Sequence, residues 1–255
     1  MEQNLNTVQL KYMTAEELTA RVAAAPAVIL PIGSMEILGK HGPLGLDSIA
    51  ADAAAQRIAE RSGALVAPTI PYGDTLEFCH MDGTVHVPES ALEAYLYAVA
   101  HSLLTACHAK AVVLLTAHSL NGSAATSVCR KLTAEGFTVG LIDWWPTVGS
   151  VSEDILTDSA NGRGHGAEMI TSVSMAVAEE WTHPERAANE TPLPGLARVN
   201  RWNGTPFRTF GTFPQYCVTG AWGNTAGASA EKGRILFDRA TERAAAFIRE
   251  AFANQ

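Results

Sequence analysis

The chain has 255 residues, and its 18 lysines and arginines against 26 aspartates and glutamates give a formal net charge of −8. Hydrophobic residues make up 47% and charged residues 17%, which is typical of a folded globular protein and excludes a disordered or fibrous chain. The acidic balance and the lack of a lysine- or arginine-rich cluster argue against a nucleic-acid partner, because binding to a phosphate backbone is mostly electrostatic.

Short apolar runs alternate with helical stretches along the chain. In chain order they predict a strand at 27–32, a helix at 48–60, a strand at 64–68, a helix at 88–107, a strand at 111–116, a helix at 121–135, a strand at 138–143, and helices at 165–180 and 229–253. Continuous apolar strands separated by helices are typical of a parallel sheet that is covered on both faces. The sequence therefore predicts an α/β fold: one three-layer α/β/α domain over residues 1–255 with a mostly parallel central sheet. Residues 184–213 lack this periodicity and are predicted to form a lid or a subunit contact.

The amino-terminal residues and the cysteines bear on localisation. Residues 1–7 are polar and carry an acid where a secretion signal needs basic and apolar segments, and no apolar run approaches the roughly 18 residues of a spanning helix. The four cysteines lie far apart without a C-x-x-C pair, which favours buried reduced thiols over a zinc knuckle or a disulfide framework. We therefore expect a cytoplasmic protein without a membrane partner.

A glycine-rich loop with polar residues follows the first predicted strand. It carries Glu36, His41 and Asp47. Carboxylate oxygens and imidazole nitrogens are the usual ligands of zinc, manganese and iron, and a glycine-rich loop can fold such side chains onto one point. Asp47 has a simpler alternative, because it could cap the amino-terminus of the following helix.

Two further polar groups lie later in the chain. His118 follows the strand at 111–116, so it emerges at the edge where parallel sheets bind ligands, although a hydrogen-bonded core histidine is the alternative. His165 and Glu168 follow a glycine-rich segment, and their spacing of three residues places them on one face of a helix. Glu168 could equally serve the first helical turn as a capping residue.

Five ordered motifs, spread over most of the chain at consistent spacing, resemble those of the creatininase (creatinine amidohydrolase) family. They are PIGSME and PLGLD in residues 31–47, PYG and DGTV in residues 71–85, His118 with Asn121, HGAEMITS in residues 165–172, and GAWGNTAGASAEKG in residues 220–233. Members of this family hydrolyse small amides at a two-metal centre. The resemblance therefore implies a creatininase-like fold, a metal-dependent amidohydrolase, a small-molecule substrate and a homo-oligomer, commonly a hexamer.

The resemblance also implies a ligand set. Glu36, Asp47 and His118 fall on the three ligands of the family's first metal. Apolar residues stand where the family has the ligands of its second metal: Leu38, Leu120 and Ile170. Because leucine and isoleucine cannot coordinate a cation, we expect one divalent metal ion per subunit, with Asp47 as a terminal ligand and not a bridge.

Further roles follow from the same resemblance. His41 falls on a neighbouring histidine of the family's loop and is a candidate fourth ligand or a residue that supports the ligands. The metal is zinc, manganese or iron, and the residue types do not choose among them. His165 or Glu168 is expected to carry a proton between water and the leaving nitrogen. The residues expected to bind substrate are Trp144, Trp145, Trp222, Leu38, Leu120 and Ile170. For Trp144 and Trp145, packing in the core or at an interface is the alternative.

The function predicted from these residues is metal-dependent hydrolysis of the C–N bond of a small amide, preferentially a cyclic one and not creatinine. Two alternatives stay open. One is a single-metal lyase, isomerase or iron-dependent oxygen-using enzyme whose substrate chelates the metal. The other is a non-catalytic relative that binds a small ligand, since a fold by itself does not define a function.

Overall fold

The computed structural model of the protein describes residues 7–190, 212–215 and 217–252. The strands are β1 (Val28–Ile32), β2 (Leu65–Val66), β3 (Ala111–Thr116) and β4 (Thr138–Asp143). The α-helices are α1 (Ala15–Ala24), α2 (Leu46–Ser62), α3 (Glu89–Thr105), α4 (Gly122–Ala134), α5 (Trp144–Gly149), α6 (Glu168–Val177) and α7 (Ala230–Phe252). Short 3-10 helices cover Leu10–Tyr12, Leu76–Phe78, Ser119–Asn121, Glu179–Trp181, Pro184–Arg186 and Phe213–Gln215.

The four strands form one parallel sheet in the order β2-β1-β3-β4. The register pairs Ile32 of β1 with Thr116 of β3, and Thr116 with Asp143 of β4. The carboxyl ends of these three strands therefore lie level at one edge of the sheet. The chain runs from β1 outward to β2 and then crosses back to β3, so the strand order reverses between β1 and β3. That reversal is where open α/β sheets bind ligands.

Apolar side chains cover both faces of the sheet. Ile29 and Val113 pack with residues of α2, α6 and α7 on one face. Leu30 and Leu114 pack with residues of α1, α3 and α4 on the other. Every residue of β1 and β3 is buried, as expected for strands with helices on both sides. The predicted three-layer α/β/α architecture is confirmed.

The nine predicted elements are all present, with ends that differ by a few residues. Helices α1 and α5 were not predicted. α1 begins at a capping box formed by Thr14 and Glu17 but fully buries only Val22, so its apolar pattern is faint. α5 is six residues long and directly follows β4, which leaves no room for a helical period.

Helix α6 begins at Glu168, three residues later than predicted. Gly166 has a φ of +74°, a left-handed conformation that interrupts the helical path. His165 therefore lies in the turn before the helix, where its side chain is not tied to the helix face. His165 and Glu168 therefore do not share a helix face, in contrast to the prediction.

Two observations concern the rest of the chain. Within the described ranges, no helix combines the length and apolar character that a membrane span needs. Most of the segment predicted as a lid or subunit contact, residues 191–211, lies outside the described residues, so that prediction stays a prediction.

Candidate metal centre

A buried cluster of one imidazole and two carboxylates lies at the carboxyl edge of the sheet. His118 Nδ1 is 3.1 Å from Glu36 Oε2 and 3.1 Å from Asp47 Oδ2. One ligand atom from each residue can be chosen so that all three atoms lie within 4.8 Å of one another. The three residues are between 4% and 7% exposed. The structure therefore brings together the three side chains that the sequence predicts as metal ligands.

The sheet register explains why these residues meet. Glu36 lies four residues after the end of β1, and His118 lies two residues after the end of β3, its neighbour in the sheet. Asp47 is in the first turn of α2, the helix that follows β1. Its side chain does not cap that helix, because the N-cap residue is Gly45 and no side chain caps the end. The capping alternative for Asp47 is thus not what the structure shows.

The orientation of His118 suits a metal ligand. His118 Nε2 lies 2.8 Å from the backbone carbonyl of Asp74. A carbonyl oxygen only accepts hydrogen bonds, so Nε2 carries a proton, and Nδ1 points toward Glu36 and Asp47, where it can hold either a second proton or a metal ion. Asn121 holds that carbonyl in place, because its Oδ1 accepts from the Asp74 backbone N–H at 2.9 Å and its Nδ2 donates to the Gly33 carbonyl at 3.0 Å.

The charges of the cluster fit a divalent cation. Burial by itself lowers the pKa of His118, but the Glu36 and Asp47 carboxylates raise it well above its usual range. The site thus favours a positive charge between the carboxylates. Glu36 Oε2 is buried, and among the described residues its polar neighbour is His118 Nδ1 at 3.1 Å, so no other donor competes with a cation for this oxygen. Two carboxylates and one imidazole suit zinc, manganese or iron.

Both oxygens of Asp47 also accept hydrogen bonds from the protein. Ser34 Oγ donates to Oδ2 at 2.8 Å, and Trp145 Nε1 donates to Oδ1 at 3.0 Å. Trp145 lies two residues after the end of β4, whose end is level with that of β3. Partners of this kind fix the orientation of a ligand carboxylate.

A cavity of about 530 Å³ opens onto the cluster. Leu38, Leu120 and Ile170 all line it, as do Trp145 and Trp222. These three apolar residues therefore share one chamber with Glu36, Asp47 and His118. Its volume is within the usual range for small-molecule sites.

Trp144, unlike the adjacent Trp145, lies in the core and not at the cavity. Its side chain is fully buried, and its ring meets the ring of Phe237 at 5.5 Å in a T-shaped arrangement. It is not among the residues that line the cavity. Trp144 is thus a core residue, as the packing alternative has it, because consecutive residues at the start of α5 point in different directions.

His165 lies at the cavity, beside the cluster. Its Nε2 is 2.9 Å from the Ile37 carbonyl, so this nitrogen carries the proton and Nδ1 has the lone pair. Nδ1 is 3.9 Å from Glu36 Oε1. The ring also packs against Phe78, with centroids 4.9 Å apart. This geometry suits a proton carrier that acts next to the metal ligands.

His41 does not join the ligand cluster. Its Nε2 lies 3.0 Å from the Gly166 carbonyl and 3.1 Å from Thr171 Oγ1. Burial lowers the pKa of His41, with a hydrogen bond to Gly166 working in the opposite direction and the nearby His165 adding to the decrease. The structure places His41 as a link between the loop after β1 and the turn that carries His165.

Glu168 also lies away from the cavity, and we leave it out of the catalytic machinery. Its carboxylate accepts hydrogen bonds from Lys232 Nζ and from the backbone N–H groups of Thr157 and Asp158. Burial works against its charge, but these donors hold the pKa of Glu168 below its usual range. A carboxylate held ionised by several donors is a poor proton carrier. Its role in the structure is to join the loop before α6 to α7.

Three supporting residues were not predicted. Ser34 stands inside a matched motif, so its hydroxyl beside Asp47 could have been found from that motif. Asp74 orients His118 through its backbone carbonyl, so the type of its side chain does not predict this role. The neighbouring Gly73 is a residue type that the sequence does show, and only glycine fits there, since a Cβ would lie 2.3 Å from Asn121 Oδ1 and 2.7 Å from the Gly33 carbonyl. The bond from Trp145 to Asp47 depends on the level ends of β1, β3 and β4, which only the sheet order reveals.

The sheet edge, the ligand set and the adjoining histidine are the parts of a metal-dependent enzyme site. The creatininase family model, described as creatinine amidohydrolase, matches residues 11–248. The chain therefore belongs to the creatininase family, and together with the relatives below this membership indicates a metal-dependent hydrolase that acts on C–N bonds.

Individual relatives agree with this assignment. The chain is 30% identical to the mycofactocin precursor peptide peptidase of Mycobacterium tuberculosis (strain CDC 1551 / Oshkosh), over 84% of this chain and 81% of the relative. It is 26% identical to the creatinine amidohydrolase of Pseudomonas putida, over 94% and 95% of the two chains. A solved structure of manganese creatininase has a TM-score of 0.80 at 25% identity and covers 97% of this chain and 99% of its own. A mutant creatininase of Zn-Zn type gives a TM-score of 0.79 at the same identity and coverage.

Proposed function

We propose that this protein hydrolyses the C–N bond of a small cyclic or open-chain amide with a single metal ion per subunit. Its relatives include proteins named for creatinine hydrolysis and for peptide cleavage, both of which break an amide C–N bond. The ligands in the proposal are Glu36, Asp47 and His118. Leu38, Leu120 and Ile170 take the place of a second set of ligands and contact substrate instead.

The observation that carries the single-metal proposal is the apolar lining next to the ligand cluster, and the hydrogen bond from Trp145 to Asp47 supports it. For Asp47 to bridge two ions, its Oδ1 would have to bind the second ion beside an indole N–H that already donates to it. The chamber next to it is lined by leucine and isoleucine side chains, which offer no ligand atom. A second cation would lose its water shell there without gaining protein ligands, and that is strongly unfavourable. Asp47 thus acts as a terminal ligand.

The residues around the cluster supply the remaining chemistry. A divalent ion held by Glu36, Asp47 and His118 would lower the pKa of water and polarise a carbonyl group. His165 is placed to accept a proton at Nδ1 from the attacking water and to deliver it to the departing nitrogen. Water and amide thereby become a carboxylic acid and an amine. Trp145 and Trp222 exclude bulk water from the chamber.

Metal content tests the proposal. We expect one equivalent of zinc, manganese or iron per subunit in protein purified without chelators, measured by plasma mass spectrometry. His118→Ala should lose it. The matched control His101→Ala removes a half-buried histidine of α3 that is remote from the cluster, and this variant should keep the metal. Two equivalents per subunit, or one equivalent retained in His118→Ala, would contradict the proposed centre.

We extend the proposal to the assembly and to the cell. By family resemblance the subunits form a homo-oligomer, a hexamer, in the cytoplasm, and residues 184–213 serve as a lid or a subunit contact. Light scattering after size-exclusion chromatography measures the mass of the assembly directly. A monomeric mass would rule out the subunit-contact role of this segment.

A further inference from the structure

The cavity beside the ligand cluster has two different walls. Leu38, Trp145, Met169 and Ile170 belong to the main core between the sheet and helices α2, α6 and α7, and we name them the acyl wall. Phe78, Leu120 and Trp222 belong to a separate apolar group, which we name the His165 wall. The two groups belong to separate clusters of apolar side chains that line the same cavity, and a ligand in that cavity has one group on each side.

His165 is attached to the second of these walls. Its ring packs on Phe78, and its backbone carbonyl accepts from the Trp222 N–H at 2.8 Å. In the proposed function, on which this inference rests, His165 delivers a proton to the departing nitrogen. The nitrogen of the amide therefore faces the His165 wall, and the carbon side of its carbonyl faces the acyl wall.

The acyl wall offers no hydrogen-bonding group to a ligand. The side chains of Leu38 and Ile170 have no polar atom, and the sulfur of Met169 is only a weak acceptor. The indole N–H of Trp145 already donates to Asp47. Within the part of the chain that the structure describes, Arg163 is the one arginine or lysine that lines the cavity. Its guanidinium group donates to Ser152 Oγ and the Ser159 carbonyl and pairs with Glu153, so each of its three nitrogens already has a partner. A charged acyl group would lose hydration there without a partner.

We propose that the acyl wall is a specificity subsite for an uncharged, apolar acyl group about the size of a benzene ring. The cavity has room for such a group beside the reacting carbonyl. Substrates are then amides of aromatic or branched aliphatic acids, and amides of short or charged acids are poor substrates.

Binding of hydroxamic acids tests this subsite without turnover. These compounds present a metal-chelating group on a chosen acyl substituent, and calorimetry on protein loaded with one equivalent of Zn²⁺ gives their affinities. Benzohydroxamic acid should bind at least about 10-fold more tightly than acetohydroxamic acid, because its ring is removed from water. A carboxylate at the 4-position of the ring should weaken binding at least about 10-fold.

Matched variants locate the effect. Ile170→Ser should weaken benzohydroxamate about 5-fold to 10-fold while changing acetohydroxamate less than about 2-fold, since only the larger acid reaches the wall. Ile235→Ser makes the same substitution on the exposed face of α7 and should change neither affinity. Ile170→Ala gives the same comparison with a smaller disturbance of folding if the serine variant does not fold.

The outcomes separate the subsite from the function. Equal affinities for the two acids, or a preference that survives in the Ile170 variants, would overturn the acyl subsite and leave the metal-centred function standing. Failure of both acids to bind the zinc-loaded protein would overturn the proposed function, and this inference with it. A preference for the aromatic acid that is lost in the Ile170 variants and kept in Ile235→Ser supports both.

Discussion

Trp145 Nε1 donates a hydrogen bond to Asp47 Oδ1 over 3.0 Å, while the other oxygen of the same carboxylate faces His118 Nδ1. The two oxygens of Asp47 thus have different partners. Oδ2 lies beside the imidazole of His118 in the ligand cluster, and Oδ1 accepts a hydrogen bond from the indole of Trp145, which also lines the cavity. Metal binding and the shape of the substrate site are therefore connected through a single carboxylate.

Removal of this hydrogen bond should weaken metal binding without changing its stoichiometry. In Trp145→Phe, Asp47 loses the partner that orients it, and we expect about 10-fold weaker metal affinity. The buried oxygen left without a donor should also lower the free energy of unfolding by about 1 to 3 kcal/mol. Competition with a fluorescent chelator measures the affinity. One metal per subunit should remain, because Leu38, Leu120 and Ile170 supply no ligand atoms.

The control for this variant is Trp181→Phe, which changes an exposed tryptophan and should leave affinity and stability unaltered. A second equivalent of metal in Trp145→Phe would show that the indole alone excludes the second ion. Unchanged affinity would show that Asp47 does not need this donor for its orientation.

Asn121 should affect metal affinity indirectly, because it fixes the backbone of Asp74, which in turn orients the ligand His118. It joins the Asp74 N–H to the Gly33 carbonyl, and the Asp74 carbonyl in turn holds His118 Nε2. Asn121→Ala should therefore lower metal affinity by about 10-fold to 100-fold. Urea unfolding with and without chelator separates this loss from a general loss of stability, because only a metal effect depends on the chelator. Equal destabilisation under both conditions would reduce Asn121 to a structural role.

The sequence predicts much of this architecture because the signals are local. Strands β1 and β3 are nearly continuous apolar runs, and the ligands Glu36 and His118 closely follow them. The resemblance to creatininase motifs selects the three ligands from other acids and histidines. What the sequence does not reveal is side-chain direction. Glu168 and His41 are of the same residue types as the ligands and lie in matched motifs.

The directions of these two side chains depend on distant parts of the chain. Glu168 is turned away from the cavity by Lys232, which lies on α7, and by the N–H groups of the loop before α6. His41 reaches the Gly166 carbonyl, 125 residues further along the chain. No local period or spacing encodes such contacts, so the sequence does not distinguish either residue from the residues of the site.

Glu168 should matter for stability and not for metal binding. Glu168→Gln removes a buried charge opposite Lys232, and we expect a loss of about 3 kcal/mol in the free energy of unfolding at neutral pH. The folded-state pKa of Glu168 lies below its ordinary value of 4.5, so the stabilisation is complete above that pH. It is lost as the pH falls through the folded-state pKa, where the protein and the variant should converge.

Denaturant titrations between pH 3 and pH 8 measure this convergence, and the range brackets the ordinary carboxyl pKa. Glu242→Gln, which removes an exposed ion pair with Arg249, serves as the control and should cost less than about 1 kcal/mol. Metal content should stay the same in both variants. If Glu168→Gln were as stable as the parent protein but inactive on amides, the proton-carrier role would return to Glu168.

His165 should affect turnover and leave the metal in place. Its Nδ1 is 3.9 Å from Glu36 Oε1, close enough to serve the reacting atoms beside the ligands, and its Nε2 is held by the Ile37 carbonyl. In His165→Asn, loss of the proton carrier should lower kcat about 100-fold to 10,000-fold. His183→Asn replaces a more exposed histidine outside the cavity and should keep full activity. Release of amine from an aromatic amide gives the rate, and plasma mass spectrometry gives the metal content of the same samples. A fall in metal content equal to the fall in rate would make His165 a ligand, whereas full activity without the imidazole would exclude it from the chemistry.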